Sequence, residues 1–89
     1  MTDASVAAEI LAEYRRARIR HAPMRGPHEG YAVLLEEVDE LWDEVRANRP
    51  WMARTESIQV GAMALAFALE VGKAKQGGDS HDGRRRTSI

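Results

Sequence analysis

Between Leu34 and Val45 the chain reads Leu-Leu-Glu-Glu-Val-Asp-Glu-Leu-Trp-Asp-Glu-Val, with acids at 36, 37, 39, 40, 43 and 44. Laid on a helix that advances about 100° per residue, Glu37, Glu40 and Glu44 fall along one border of an apolar stripe formed by Leu34, Val38, Leu41 and Val45. Glu36, Asp39 and Asp43 fall on the solvent side. Glu37 and Glu40 are three positions apart, so they stand about one turn from each other on one flank. Two carboxylates so placed can hold one hard cation, and Mg²⁺ takes one or two protein carboxylates together with phosphate oxygens. A pair of glutamates at this spacing is more commonly a solvated face. This pair differs because it borders the core, and because like charges one turn apart weaken a helix by roughly a few tenths of a kcal/mol. The next helix also brings an acid of its own. Glu56 shares a face with Val60, Met63 and Phe67, where a carboxylate is partly desolvated and needs a partner or a cation. If that helix begins near Thr55, Glu56 has a second role open to it, complementing the positive end of the helix dipole.

The elements that must carry these acids are legible as three helices. The first spans Asp3 to Arg20, with Asp3 or Ser5 as cap and Val6, Ile10, Tyr14 and Ala17 as its apolar stripe. The segment from His21 to His28 holds two prolines and a glycine and reads as a connector. The second helix starts near Pro27 and runs to about Asn48. Tyr31, Leu34, Val38, Leu41 and Val45 form its core stripe, widened by Leu35 and Trp42. After a break at Asn48-Arg49-Pro50, the third helix starts at Pro50 or Thr55 and runs to Lys75. It is apolar on two nearly opposite faces, Val60, Met63, Phe67 and Val71 on one and Ile58, Ala62, Leu65 and Leu69 on the other. A helix apolar all round must be covered all round, so the second face is expected to form an oligomer interface. The reading is therefore an all-α fold, an antiparallel bundle of three main helices over residues 1–76 completed by oligomerisation to a dimer or tetramer. The Gly-rich polar residues 77–89 are expected to be a disordered tail.

Composition narrows the chemistry further. With 89 residues the chain has room for one domain. It has no cysteine, which excludes disulfides and thiol chemistry. The first residues lack the basic segment of a secretory leader, and the apolar run Val60 to Leu69 is too short to cross a bilayer. A cytoplasmic location with no membrane partner is expected. The net charge is −1, and Arg15, Arg16, Arg18, Arg20 and Arg25 are balanced by acids, so no nucleic-acid partner is expected. No Ser/His/Asp pattern stands out. Metal-assisted hydrolysis is the chemistry these residue types support. Arg54, Lys73 and Lys75 are candidates to meet phosphates, with solvated charges as the plainer reading. Trp42 and Tyr31 are either core aromatics or a platform for stacking a base.

Glu36-Glu37-Val-Asp-Glu40 is similar to the EExxE motif of the MazG-like branch of the all-α nucleoside triphosphate pyrophosphohydrolases. Glu56-Ser-Ile-Gln59 stands where that family carries a second motif, ExxD, on the following helix. The resemblance extends from about Pro27 to Val71, through His28-Glu-Gly-Tyr-Ala-Val-Leu-Leu-Glu-Glu-Val-Asp-Glu-Leu-Trp42 and Gln59-Val-Gly-Ala-Met-Ala64. It implies hydrolysis of a (d)NTP to a (d)NMP and pyrophosphate, with Mg²⁺, or Mn²⁺ in its place, as cofactor. It implies Glu37, Glu40 and Glu56 as catalytic metal ligands and Gln59 as a further ligand. Arg54, Lys73 and Trp42 are the candidates for contacting substrate. Gln59 departs from the motif's aspartate: an amide oxygen can ligate Mg²⁺ but removes one negative charge. Glu44 and Glu70 are the acids available to compensate. The departure also leaves open a non-catalytic, nucleotide-binding or interaction protein of the same helical build.

Overall fold

The computed structural model describes residues 1–72. These residues are all-helical: α1 spans Asp3–Arg20, α2 Pro27–Arg46 and α3 Pro50–Ala66, with a π-helical turn, Phe67–Val71, continuing α3. Lys73, Lys75 and the expected tail lie outside the described residues.

Thr2 caps α1, one residue before Asp3 and three before Ser5, the two expected caps. Its Oγ1 accepts from the Ser5 backbone N–H at 3.0 Å, and Ser5 Oγ accepts from the Thr2 N–H at 2.9 Å. This is a capping box with serine in the place of the usual glutamate. At its far end α2 stops at Arg46, two residues short of the expected Asn48. Asn48 sits at φ 60°, the left-handed conformation that asparagine tolerates better than most residues. The Arg49 N–H donates to Glu44 O at 3.0 Å and the Asn48 N–H to Val45 O at 3.1 Å, a Schellman closure with Asn in glycine's usual position. The tight turn lets Pro50 open α3. Glu56 is therefore well inside α3, which removes the reading of Glu56 as a first-turn dipole partner.

Helices α1 and α2 each pack against α3 and do not pack on one another. This overturns the expectation that the Ile58/Ala62 face of α3 is left for a second chain. Ile58, Ala62 and Ala66 are buried within this chain. The cause is side-chain size: a Cβ added at Gly61 meets Ile10 Cδ1 at 2.9 Å, so α1 approaches closely only because α3 is small there. Leu69 alone of the four residues on that face is exposed.

The uncovered apolar face belongs to α2. Gly30, Val33, Leu34, Glu37, Leu41 and Glu44 turn inward, while Tyr31, Leu35, Val38, Trp42 and Val45 are exposed, Tyr31 by 60% and Trp42 by 56%. The inward face lies about 60° around the helix from the stripe drawn on the sequence. Tyr31, Val38, Trp42 and Val45 are thus not core residues of the single chain. The rotation is set where α2 begins: a Cβ on Gly30 would stand 2.7 Å from Phe67 Cδ2 and 3.2 Å from Met24 Sδ.

Glu70, in the π-helical turn, ties α1 and the connector to α3. It accepts from the Met24 N–H at 2.8 Å and from Tyr14 Oη at 3.3 Å, and pairs with Arg18 Nε at 2.9 Å. Gly30→Ala is expected to force Phe67 out of place and to cost about 1–3 kcal/mol, the usual range for overpacking, read as a lower urea midpoint at unchanged slope. An unchanged midpoint would show that the ring moves aside freely.

Candidate metal centre

Glu37 and Glu40 project from α2 toward α3, and Glu56 projects from α3 to meet them. One carboxylate oxygen from each lies within 4.8 Å of the other two. Glu37 and Glu56 are half-buried and Glu40 is exposed. No ion pair among the described residues involves any of the three. Glu56 Oε1 is buried and accepts no hydrogen bond, a situation that costs about 1–3 kcal/mol in a protein interior.

The electrostatics follow from this placement. Burial, reinforced by the charges of Glu40 and Glu56, pushes the Glu37 carboxyl up to about 7. Burial and the neighbouring Glu40 and Glu44 raise Glu56 as well. Carboxylates that repel each other and lack a cationic side chain match what a hard divalent cation requires of its ligands. On chemistry and spacing, the three acids fit such an ion.

The other acids are committed elsewhere. Glu44 pairs with Arg49 Nε at 2.6 Å, Asp43 pairs with Arg46 at 2.7 Å, and Glu36 and Asp39 face solvent. Neither acid suggested as compensating for Gln59 is free for that role, since Glu70 is held by Arg18 and Met24. Gln59 follows Glu56 by one turn and lines the same cavity as Glu37, with Glu13 of α1 also in its walls. Arg54 is bound to Glu9 of α1 at 2.8 Å and lies over Trp51, 5.6 Å from the ring centroid; it is not joined to the three acids. Trp42 stands on the open face of α2, about 140–160° around the helix from Glu37 and Glu40. Within one chain it is therefore apart from the cluster.

Two features escaped the sequence reading. Because α1 and α2 stand apart over α3, a cavity of about 600 Å³ opens between them, with Glu37, Gln59, Met63 and Ala17 in its walls. The second is Glu13, which is 8% exposed and pairs with Arg16 and Arg20. Burial alone raises its pKa, but the hydrogen bonds from Arg16 and the charges of Arg16 and Arg20 prevail and hold it below the usual carboxylate value. Its position between Ile10 and Ala17, at helical spacing on the α1 stripe, was the available signal.

No helix among the described residues is long and apolar enough to cross a membrane. Compared with family models, curated proteins and solved structures, the chain matches none.

The raised carboxyls have a thermodynamic consequence. The unfolded chain loses the Glu37 proton near 4.5, whereas the folded chain keeps it to about 7. Between these values the folded state binds more protons, so metal-free stability should fall as pH rises from about 4.5 to 7. A divalent cation at the three acids should flatten that fall, because it competes with the protons and favours the ionised form. Thermal melts across this window with Mg²⁺ and with EDTA measure both effects; identical profiles would remove the cation from the account.

Proposed function

We propose that this chain is a cytoplasmic, Mg²⁺-dependent nucleoside triphosphate pyrophosphohydrolase of the MazG-like kind, converting a (d)NTP to a (d)NMP and pyrophosphate. The observation that carries the proposal is the convergence of Glu37, Glu40 and Glu56 across the α2–α3 seam, with one Glu56 oxygen left unpartnered. The cavity beside the cluster adds support, since its size falls within the range of small-molecule sites.

When bound, the cation would neutralise phosphate charge and make water a better nucleophile. Glu37, Glu40 and Glu56 would hold it, and Mn²⁺ suits the same oxygen ligands. Gln59, which stands on the cavity wall, can add a neutral oxygen. The chain itself has three tasks: orienting the triphosphate, excluding water from the cavity walls, and accepting a proton. Water attacks in line, the bond between the α- and β-phosphates breaks, and the proton passes to a carboxylate oxygen not engaged by the cation. That role would fall to Glu56 Oε1, which is buried and without a partner. Arg18, Arg20 and Arg25 border the cavity, each paired with an acid, Glu70, Glu13 and Glu29 respectively, and a phosphate would have to compete for them. Arg54, Lys73 and Trp42 remain substrate contacts only if a second chain brings them to the site.

That second chain is part of the proposal. The Tyr31, Leu35, Val38, Trp42 and Val45 face of α2 is exposed in one chain, and an apolar helix face of this length calls for cover. The antiparallel bundle would then be completed by a second copy laid on α2, in a dimer or tetramer, and not on α3 as the sequence pattern suggests. A non-catalytic reading rests on one observation, Gln59 in the place of an acid. Nucleotide binding without turnover would select it.

Glu37→Gln or Glu40→Gln should lower Mg²⁺-dependent pyrophosphate release by at least about a hundredfold, since even changes behind metal ligands cost up to that much. Unchanged turnover across a (d)NTP panel would reject the proposal. Trp42→Glu should shift the sedimenting species to the monomer; an unshifted species would place the interface elsewhere.

A further inference from the structure

Along the α2–α3 seam the three acids stand between two recesses of unequal size. On the Glu37 side lies the cavity of about 600 Å³, with Ala17, Met24, Val33 and Met63 as apolar walls. On the other side, at the turn between the helices, lies a recess of about 340 Å³ bordered by Glu44, Asn48, Arg49 and Ala53. Helix periodicity fixes this order. Glu44 follows Glu40 by four residues on α2, and Ala53 precedes Glu56 by three on α3. The smaller recess therefore begins one turn, about 5 Å, beyond the acids.

Arg49 is the one cation in the walls of that recess. Its Nε donates to Glu44 Oε1 at 2.6 Å, and its two terminal nitrogens have no partner among the described residues. Other arginines near the seam are held differently. Arg18 donates through Nη1 to His21 O and pairs through Nε with Glu70. Arg25 places Nε and Nη2 on Glu29. Arg54 commits both terminal nitrogens to Glu9. Glu44 thus fixes the Arg49 guanidinium by one nitrogen and leaves free the two ends that match phosphate oxygens. The Glu44–Arg49 pair is neutral in sum, so the recess offers a free anion little until a cation occupies the neighbouring acids.

A nucleoside triphosphate has an apolar-walled need at one end and an anionic one at the other, with the α–β bond between them. The two recesses differ in the same sense. We infer that Arg49 binds the β- and γ-phosphates of the ligand in the recess at the turn, while the nucleoside lies in the larger cavity on the Glu37 side. The inference rests on the reading of Glu37, Glu40 and Glu56 as the cation site. Arg49 is then the residue that holds pyrophosphate after cleavage, and Glu44 is a positioning residue that acts through it.

The test is calorimetric titration of the full chain with pyrophosphate and, separately, with dAMP, each with and without Mg²⁺. Pyrophosphate should bind only with Mg²⁺ present. Arg49→Gln should weaken that binding roughly tenfold or more, since a hydrogen bond to a charged group is worth that much, and should leave the affinities for Mg²⁺ and dAMP unchanged. Arg49→Lys, which keeps the charge and loses the fork, should fall between. Arg46→Gln removes the same charge three residues away and should change nothing. Four results overturn the inference: no pyrophosphate binding by the natural chain, binding indifferent to Arg49→Gln, an equal loss in Arg46→Gln, or a loss of Mg²⁺ or dAMP affinity alongside that of pyrophosphate. The two proposals fail separately. Arg49-dependent pyrophosphate binding without turnover of any (d)NTP leaves this inference standing and removes the hydrolase, whereas turnover with pyrophosphate binding that ignores Arg49 does the reverse.

Discussion

Glu37, Glu40 and Glu56 carry like charge in a seam where water screens them only in part. Everything that gives the chain a candidate site follows from how α2 and α3 are made to share that seam. Two local devices do it. The Asn48 closure ends α2 abruptly, and Pro50 starts α3 at once, so Glu56 arrives at the level of Glu37 and Glu40. At the opposite end the absence of a Cβ on Gly30 lets the Phe67 ring settle against α2. Together they fix the rotation of α2 that turns Glu37 inward and leaves Trp42 outside. An isolated helix with this sequence would bury its valines and leucines and leave its acids wet. The fold accepts electrostatic repulsion among three carboxylates at this seam, an arrangement of the kind found at functional sites.

Helix α1 contributes in a different way. It lies on the Gly61 and Ala62 side of α3 and leaves a gap to α2. That gap makes a cavity out of what a tighter bundle would fill. Glu70 holds the arrangement, since one carboxylate with 10% side-chain exposure gathers Tyr14, Arg18 and the Met24 N–H. By contrast, the exposed pairs Arg25–Glu29 and Arg46–Asp43 contribute about 0–1 kcal/mol each and position nothing.

Helix number, order and the start of α3 were legible because proline, glycine and apolar periodicity act locally. The three acids were legible for the same reason, through spacing on α2 and the placement of Glu56 on an apolar face. What was not legible depended on packing between elements. The α2 stripe drawn through Leu34, Val38, Leu41 and Val45 is the best apolar arc of the sequence, but Gly30 and Phe67 choose another. The double-sided pattern of α3 pointed to an intermolecular interface, yet small residues at 61, 62 and 66 let its own neighbours close over it. Arg54 looked free in the sequence and is bound to Glu9, 45 residues away.

The central claim is that three carboxylates converge on one cation, and paramagnetic Mn²⁺ tests it without assuming any reaction. Titrated at pH 7.5 into the full chain, substoichiometric Mn²⁺ should broaden amide signals around 37, 40 and 56 first and most strongly, with Mg²⁺ reversing the effect by competition. Broadening spread evenly over the solvent-facing acids at 36, 39 and 43, with no focus at the α2–α3 seam, would contradict it.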